Sequence, residues 1–418
     1  MNEWNEVLLK DISFYSEDRI GLNEINLSNY ISTENMKPNR EGVTAASSLP
    51  AGKTVSAYFC DDILISNIRP YFKKIWFADK DGGCSNDVLV IRSKDNEQVD
   101  SKYLYYNLFT DHFFGYVMSG AKGAKMPRGD REEIMKYSLS LPPLNIQKKI
   151  ASILSNIDNK IQINLEINKT LEQMAMNIYK HWFIDFERFN ESEYKDSEFG
   201  LIPKELNVKR VDDLGNVVTG KTPSTKNNNF YNGKIPFIKI PDMHNNTFIV
   251  KTETTLSDEG ASTQKNKMLP PLTVCVSCIA TPGLVVLTTD FSQTNQQINS
   301  IVCNEEISPY FAYLSMVYNS DTIISLGSGG TATLNLNKGD FSSIKLLVPN
   351  NETMNCFHKQ VESLFEKIKL NAITNQKLME VRDYILPLLL RGDISIVEAA
   401  EIVREVISNE QPEPSVRI

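Results

Sequence analysis

Residues 150–178 read "IASILSNIDNKIQINLEINKTLEQMAMNI", and residues 357–385 read "FHKQVESLFEKIKLNAITNQKLMEVRDYI". Taken at alternating spacings of four and three, each stretch gives a mostly apolar seam with two asparagines at matching places. The first seam is Ile150, Leu154, Ile157, Ile161, Asn164, Asn168, Leu171, Ala175 and Ile178; the second is Phe357, Val361, Leu364, Ile368, Asn371, Asn375, Leu378, Arg382 and Ile385. This spacing predicts two long coiled-coil helices, 207 residues apart, with Arg382 as the one break in the pattern.

The repeat extends beyond the helices. "EWNEVLLKDI" at 3–12 matches "ELNVKRVDDL" at 205–214, and Gly120, Gly129, Asp130 and Ile134 match Gly330, Gly339, Asp340 and Ile344 at a shift of 210. Short strand-like runs recur as well, "DILISNI" (62–68) with "TVCVSCI" (273–279) and "NDVLVI" (86–91) with "QINSIV" (297–302). A short helix is expected in each copy, at "SKYLYYNLF" and "SPYFAYLSMVY". The chain is one α+β unit written twice.

The repeat predicts six segments. They are a first globular domain at 1–145, a first helix at 146–183, an acidic linker at 184–204, a second globular domain at 205–350, a second helix at 351–390 and an acidic tail at 391–418. A twofold axis perpendicular to the helices would make them antiparallel, with Asn164 opposite Asn371. Asn164, Asn168, Asn371 and Asn375 are then the residues that set the register, because a buried polar pair favours one alignment.

The net charge of −8 is concentrated in two segments. Residues 185–199 and 392–418 each hold six acidic and two basic residues, so the remainder of the chain is neutral and can carry basic surfaces. The six cysteines are scattered, and neither a signal peptide nor a membrane span is recognisable, which predicts a cytoplasmic protein. Cys275 and Cys278 form the one CxxC pair; on a strand they point to opposite faces, so no metal site is expected.

Residues 215–224, "GNVVTGKTPS", satisfy the Gly-x-x-x-x-Gly-Lys-Thr pattern of a nucleotide-binding phosphate loop. Such a loop needs a buried strand before it and a helix directly after it. The charged "VKRVDDL" precedes it and the turn-favouring "STKNNNFYNG" follows it, so ATP binding is not expected. The segment is instead a donor-rich loop, and "GAKGAKMPRGDR" (120–131) is a second one.

The chain carries no recognisable catalytic motif. It has no Asn/Asp-Pro-Pro-aromatic motif of an adenine methyltransferase, since both Pro-Pro pairs stand in "LPPL". The four histidines, His112, His181, His244 and His358, show neither metal spacing nor a partnered nucleophile. The sequence therefore predicts a non-catalytic protein with neither a bound metal nor a cofactor of its own.

The chain resembles the specificity subunits of type I restriction-modification systems. The resemblance rests on "LSLPPLNIQKKIASILSNIDNKIQINLEINKTLEQMAMNIYKHWFIDFE", "FGLIPKEL", "TGKTPSTKNNNFYNGKIPFI" and "ILPLLLRGDI". It implies two target-recognition domains, each reading half of a split sequence in double-stranded DNA, joined by an antiparallel helix pair that docks two methyltransferase subunits and, in some systems, restriction or translocase subunits. S-adenosylmethionine and ATP would bind those partners. In one departure, Met354 replaces the glutamine found in the first copy at Gln147, which predicts a difference in docking at the second helix.

With this resemblance, the polar loops become candidates for DNA contact. Lysine and arginine suit phosphates, and hydroxyl and amide groups suit base edges. In the second copy the candidates are Lys221, Thr222, Ser224, Lys226, Asn227, Lys239, Thr331 and Thr333; in the first they are Arg69, Lys73, Lys74, Lys122, Lys125 and Arg128. Ordinary solvent-exposed loops are the alternative for each residue, and Asn86 and the run 295–297 could equally be strand-end hydrogen bonders.

Two further expectations concern the whole chain. At about 1.5 Å per residue the seam 150–178 is roughly 42 Å long, comparable with the 34–36 Å of one DNA turn. A helical adaptor that joins two proteins without contacting DNA would also explain the coiled coil and the acidic tail. It would not explain lysine-bearing Gly/Asn/Thr loops at equivalent positions of the repeat. Surplus apolar residues on the first helix, Ile153, Ile163, Leu165 and Ile167, indicate a second partner surface.

Overall fold

The computed structural model describes residues 4–95, 97–123, 125–189, 193–327 and 335–408. They divide into two compact units. Unit 1 combines the chain up to Lys160 with the chain from Leu378 onward, and unit 2 runs from Ile161 to Lys377. Each unit therefore contains one globular region and one end of each long helix. None of the helices in the described ranges is long and apolar enough to span a membrane.

Unit 1 is built on two four-stranded sheets. One has the antiparallel order β2-β9-β6-β7; the other has the order β3-β5-β8-β4, in which β4 and β8 are parallel; β1 and β10 form a separate antiparallel pair. The elements are β1 (Asn5–Leu8), α1 (Leu9–Ile12), β2 (Ser13–Tyr15), β3 (Arg19–Gly21), β4 (Tyr30–Ile31), β5 (Thr54–Tyr58), β6 (Ile63–Ser66), β7 (Ile75–Phe77), β8 (Gly82–Cys84), β9 (Val88–Ser93), α2 (Ser101–Leu108), α3 (Asp111–Ser119), α4 (Arg131–Ile134), β10 (Ser138–Leu141) and the long helix α5 (Leu144–Phe183), which continues into unit 2.

Unit 2 also has two sheets and a separate antiparallel strand pair, but its sheets have five and three strands. A five-stranded sheet has the order β14-β21-β18-β19-β16, a three-stranded sheet has the order β17-β15-β20, and β13 pairs with β22. The elements are β11 (Tyr194–Ser197), β12 (Gly200–Pro203), β13 (Leu206–Arg210), β14 (Gly215–Thr219), β15 (Tyr231–Ile238), α6 (Ile240–Met243), β16 (Phe248–Ile249), β17 (Thr255–Leu256), α7 (Asp258–Ser262), β18 (Val274–Ser277), β19 (Val285–Thr288), β20 (Gln293–Thr294), β21 (Ile298–Cys303), α8 (Pro309–Tyr318), α9 (Ser320–Gly327), α10 (Lys338–Ser343), β22 (Lys345–Pro349) and the long helix α11 (Asn351–Arg391), which continues into unit 1.

The predicted α+β class is confirmed. The strands expected within 62–68, 86–91, 273–279 and 297–302 occur as β6, β9, β18 and β21, and the two predicted short helices occur as α2 and α8. Each of these helices has a side-chain N-cap, because Asp100 accepts from Tyr103 N–H and Ser308 from Phe311 N–H. Two segments predicted only as acidic connections contain further structure: β11 and β12 form a hairpin, and helix α12 (Ile396–Ser408) follows α11 with Ala399 and Val403 buried.

One alignment of the repeat is wrong by three residues. Asp130 caps α4, whereas the equivalent cap of α10 is Asn337, not Asp340. Tyr137 N–H donates to Ile134 O, and Ile344 N–H donates to Phe341 O in the same way. These pairs are 207 residues apart, as the helical seams are, so the shift of 210 does not hold for Asp130 and Ile134. Gly330 lies outside the described residues.

The paired asparagines differ from the expected arrangement. Within unit 2, Asn164 Nδ2 donates to Asn375 Oδ1 at 2.8 Å and Asn371 Nδ2 donates to Asn168 Oδ1 at 2.8 Å, so Asn164 does not face Asn371. The helices are antiparallel here. In the repeat Asn164 corresponds to Asn371 and Asn168 to Asn375, so the two pairs are equivalent. The remaining amides donate to carbonyls of the opposite helix, Asn168 to Ile368 O at 3.2 Å and Asn375 to Ile161 O at 3.3 Å. Two offset pairs satisfy all four buried amides, which a single face-to-face pair at the axis could not do.

Each globular region is anchored to the helix ends of its own unit. In unit 1 the buried Gln147 side chain donates to Gln98 O and Pro142 O and accepts from Asp100 N–H. Its counterpart Met354 is buried in the apolar core of unit 2, with Phe357 and Val361. The Gln147-to-Met354 difference therefore lies between helix and globular region, and a difference in docking at the second helix stays a prediction.

Candidate nucleic-acid interface

The loop that resembles a phosphate loop is held by backbone hydrogen bonds. Its first glycine, Gly215, lies inside β14 and pairs with Cys303 of β21. Gly220 N–H donates to Ile298 O at 3.1 Å, and Lys221 N–H donates to Thr294 O at 3.0 Å. Only a three-residue 3-10 helix, Asn228–Phe230, follows. The N–H groups that a phosphate loop would present are already used, so the geometry does not suit a nucleotide.

Gly220 is required by a close approach of two backbone segments. A Cβ atom at this position would lie 2.1 Å from Asn295 O and 2.3 Å from Thr294 Oγ1. The loop and the turn before β21 thus touch at a point where no side chain fits. The second glycine of the motif serves packing rather than phosphate binding.

The side chains of residues 221–227 divide into exposed donors and structural groups. Lys221, Ser224 and Lys226 are exposed, and neither ammonium group has an ion-pair partner within the described residues. Thr222 Oγ1 donates to Gln296 Oε1 at 2.7 Å, which joins the loop to the turn before β21. Asn227 caps the 3-10 helix by accepting from Asn229 N–H. Lys239 is half-buried, and its Nζ donates to Thr254 Oγ1 at 2.6 Å.

In unit 1 the candidates around the segment 69–74 are engaged with neighbouring groups. Arg69 and Lys73 flank a short 3-10 helix in left-handed conformations, with φ of 50° and 52°. Lys73 Nζ lies 2.7 Å from Asp111 Oδ1, and Arg40 pairs with the same carboxylate. These cations hold the pKa of Asp111 below its usual value. Lys74 donates to Thr33 O at 2.5 Å, and burial lowers its pKa.

Pro127 and Arg128 contact this segment. Arg69 N–H donates to Pro127 O at 2.8 Å, and Ile68 and Arg128 form an antiparallel bridge. Lys122 pairs with Asp130 at 2.5 Å and lowers the pKa of that carboxyl, and Arg128 lies 3.1 Å from Asp87. Lys125 is exposed. The fold therefore brings Arg69, Lys122 and Arg128 to one edge of unit 1. Thr331 and Thr333 lie outside the described residues.

Arg19 is a candidate that the sequence argument missed. Its guanidinium donates to Asn86 Oδ1 at 3.3 Å, to Ser56 Oγ at 3.4 Å and to Thr54 O at 2.9 Å. It stands 202 residues before Lys221, the same shift as that of the two matched opening stretches, so counting onward from them would have found it. A cavity of about 430 Å³ opens beside Asn86, lined by Ser85 and Asp87 and by polar residues of the segment 30–50.

Other potentially reactive groups are buried cysteines or histidines that contact neighbouring hydroxyl groups. Cys275 on β18 and Cys278 directly after it belong to different apolar clusters, and burial raises their pKa values to about 12 and about 11. His112 contacts the Tyr137 hydroxyl at 2.9 Å, and His358 contacts the Ser308 hydroxyl at 2.9 Å. Within the described ranges, no three or more His, Cys, Asp or Glu side chains form a cluster that could hold a metal ion.

Comparison with known proteins identifies this architecture. The model of the type I restriction modification DNA specificity domain matches residues 1–173 and again 203–382. The chain belongs to this family of two-domain DNA specificity subunits. It is 34% identical to the type I restriction enzyme HindI specificity subunit of Haemophilus influenzae, over 94% of this chain and 100% of that one.

Two other proteins resemble the chain less closely. The type I restriction enzyme MjaIX specificity subunit of Methanocaldococcus jannaschii is 28% identical over 72% of this chain and 70% of its own length. The crystal structure of the S subunit from M. genitalium shares the fold, with a TM-score of 0.57 at 14% identity, covering 93% of this chain and 97% of that chain. The chain is a specificity subunit for DNA target recognition, and the adaptor hypothesis is not favoured.

Proposed function

We propose that each globular region reads one half of a bipartite target in double-stranded DNA. The proposal rests on the equivalent polar edges of the two units. Thr222 donates a hydrogen bond to Gln296 in unit 2, and Arg19 donates one to Asn86 in unit 1. Exposed cations border both edges and supply contacts to phosphates. The side chains differ between the copies, which fits two different half-sites.

The helix pair acts as spacer and as docking surface. The four buried asparagines favour one register, and the register sets the separation of the two readers. On α5 within unit 2, Ile163, Ile167 and Met174 share one face of the helix and are between 38% and 51% exposed, and Leu165, on a different face, is 49% exposed. Three exposed apolar side chains on one helix face fit a partner protein. Two methyltransferase subunits are the proposed occupants, with restriction or translocase subunits as further members of the complex.

The chain contributes recognition, and the chemistry belongs to its partners. The complex is proposed to be a DNA adenine methyltransferase, or a type I restriction endonuclease where the translocase joins. S-adenosylmethionine and ATP would then bind the partner subunits. We place the complex in the cytoplasm, where it has access to the host's DNA.

Lysine substitutions test the proposal. The full chain, purified with its methyltransferase subunits, is titrated with target duplex at several salt concentrations. Lys221→Ala and Lys226→Ala should each weaken binding and flatten the log-log salt dependence by about one unit, because each phosphate contact releases about one counterion. Lys204→Ala is the control, since Lys204 pairs with Glu193 in the acidic hairpin. Unchanged slopes, or ATP binding by the isolated chain that Lys221→Ala abolishes, would refute this assignment of the loop.

A further inference from the structure

Asn86 and Gln296 occupy the same place in the two copies. Asn86 lies in the turn before β9, where Val88 N–H donates to Ser85 O at 2.9 Å. Gln296 lies in the turn before β21, where Ile298 N–H donates to Asn295 O at 3.3 Å. The next residue of each turn accepts from the end of the neighbouring strand, Asp87 O from Asn67 N–H and Gln297 O from Cys278 N–H, both at 2.8 Å. The backbone therefore makes the two residues equivalent, 210 positions apart.

The neighbours of these residues stabilise the turn, but Asn86 and Gln296 do not. Gln297 N–H donates to Asn295 Oδ1, Asn295 Nδ2 donates to Gln297 Oε1, and Asp87 N–H donates to Ser85 Oγ. The side chains of Asn86 and Gln296 are exposed at the tip. The earlier alternative, strand-end hydrogen bonding, thus applies to Asn295 and Gln297 only.

Both amides are held in the same orientation. In each unit a side-chain donor binds the amide oxygen. Arg19, which follows β2, binds Asn86 at 3.3 Å, and Thr222, which follows β14, binds Gln296 at 2.7 Å. Ser56 adds a second donor to Asn86. Neither amide nitrogen has a hydrogen-bond partner among the described residues. Each amide therefore has a fixed carbonyl group and an unused NH₂ group, which can donate to an acceptor atom of a ligand.

We propose that Asn86 and Gln296 are specificity-determining residues, each reading one adenine in its half-site. This rests on the proposed function and names the reading groups within it. The amide NH₂ would donate to adenine N7 while the amide oxygen accepts from the adenine N6 amino group, the bidentate pairing that asparagine and glutamine make in the major groove. At Asn86 the adenine amino group would replace the Ser56 hydroxyl, which lies 3.4 Å from the amide oxygen. Arg19 and Thr222 are the positioning residues that fix the amide plane.

The two side chains of each pair are complementary in length, one long and one short. The short Asn86 is reached by the long Arg19, and the longer Gln296 is reached by the short Thr222. Each unit thus builds a fixed amide from a different combination of residues. Such a pair can change between relatives without altering the turn that carries it.

The test is a binding selection with the full chain and its methyltransferase subunits, on duplexes in which one position at a time of each half-site is randomised. Gln296→Ala should reduce the preference for adenine by about 5- to 150-fold at one position of one half-site. Asn86→Ala should do the same in the other half-site only. Asn304→Ala and Gln98→Ala, exposed amides beyond the far ends of β21 and β9, should leave every preference unchanged.

A second substitution distinguishes lost reading from lost folding. Gln296→Glu retains an oxygen for Thr222 but replaces the NH₂ donor with an acceptor, so the preferred base should change from adenine to cytosine, whose N4 is a donor. This variant decides the matter if Gln296→Ala does not assemble. Unchanged preferences, or changes at several positions or in both half-sites, would overturn the proposal. A wild-type complex without any bipartite preference would instead overturn the proposed function itself.

Discussion

Gln264 supports the recognition loop of unit 2 from within the protein. Its Nε2 lies 2.7 Å from both Lys221 O and Gln293 Oε1, and Gln293 Nε2 donates onward to Ala261 O at 3.0 Å. Both glutamines are buried, so these bonds are protected from water. The backbone of the loop is fixed while the ammonium group of Lys221 stays exposed. A loop ordered before binding loses less conformational entropy when it meets DNA.

Glu172 on α5 provides a pH test at a single residue. Burial raises its pKa from 4.5 to about 7, and its charge contributes to the raised pKa of Tyr313 in the same unit. A carboxyl group whose pKa is higher in the folded than in the unfolded state favours folding only while protonated. Its ionisation therefore costs stability progressively between about pH 4.5 and pH 7, and the cost is complete above pH 7.

We expect Glu172→Gln to raise the free energy of unfolding at pH 8 by on the order of 2 kcal/mol, and to have little effect at pH 4. Urea unfolding at several pH values measures this. Glu166→Gln, at an exposed acid of the same helix, is the control. A gain of equal size at every pH would contradict the burial argument.

At the scale of elements, the exceptions in the helical seam are explained by their partners. Arg382 interrupts the apolar pattern, yet its side chain is 12% exposed, lies 2.8 Å from Asp158 and stacks over Phe109 at 4.8 Å. Asp158 also accepts from the Tyr106 hydroxyl at 2.7 Å. The arginine therefore joins the end of α11 to α5 and to the globular region of unit 1. A heptad pattern alone cannot indicate such a three-way contact.

The asparagine pairs should matter more for register than for stability. Asn164→Leu leaves the Asn375 amide without its buried partner and should cost about 1–3 kcal/mol. Asn164→Leu with Asn375→Leu removes both polar groups and should recover most of that loss, while permitting other registers. Unfolding of both variants and methylation mapping measure the two effects, with Asn177→Leu as an exposed control on α5. A single spacer length in the double variant would contradict the register role.

Shortening the scaffold requires matched deletions. The globular region of each unit packs on both long helices, so removal of residues from one helix alone would misalign the pair. The observed pairing of Asn164 with Asn375 sets residues 161–167 opposite residues 372–378. Deleting both heptads removes about 10 Å of helix and should shorten the spacer of the target by up to about three base pairs. Methylation mapping should show unchanged half-sites, and altered half-sites would refute the separation of spacing from reading.

At the scale of the whole molecule, readers and scaffold are separate but anchored. Exchange of residues 1–145 for the equivalent region of a relative should change one half-site only. The incoming region must retain the groups that bind the helices, a backbone partner for Gln147 and the counterparts of Tyr106 and Phe109. Methylation mapping gives the readout. Changes in both half-sites would mean that the two domains read DNA cooperatively.

The sequence by itself determined the duplication, the α+β class and the two long helices. Periodicity and repetition are properties of neighbouring residues, so they can be read without tertiary contacts. The main strands were also predictable, because β6, β9, β18 and β21 are dense apolar runs. Candidate cations could be named from the sequence. Whether Lys73, Lys74 or Lys122 is paired could not be predicted, because Asp111, Thr33 O and Asp130 reach them only in the folded chain.

Only the tertiary structure decided how equivalent residues meet. The offset pairing of the asparagines, the pairing of Arg19 with Asn86 and of Thr222 with Gln296, and the opposite environments of Gln147 and Met354 all join residues far apart in the chain. The four asparagines of the helices and Gln147 are buried amides that must find partners, whereas the exposed Asn86 and Gln296 are placed by the backbone of their turns, and in both cases the partner depends on how the surrounding elements pack. Residue spacing can state that such a group exists, but the packed chain determines what it contacts.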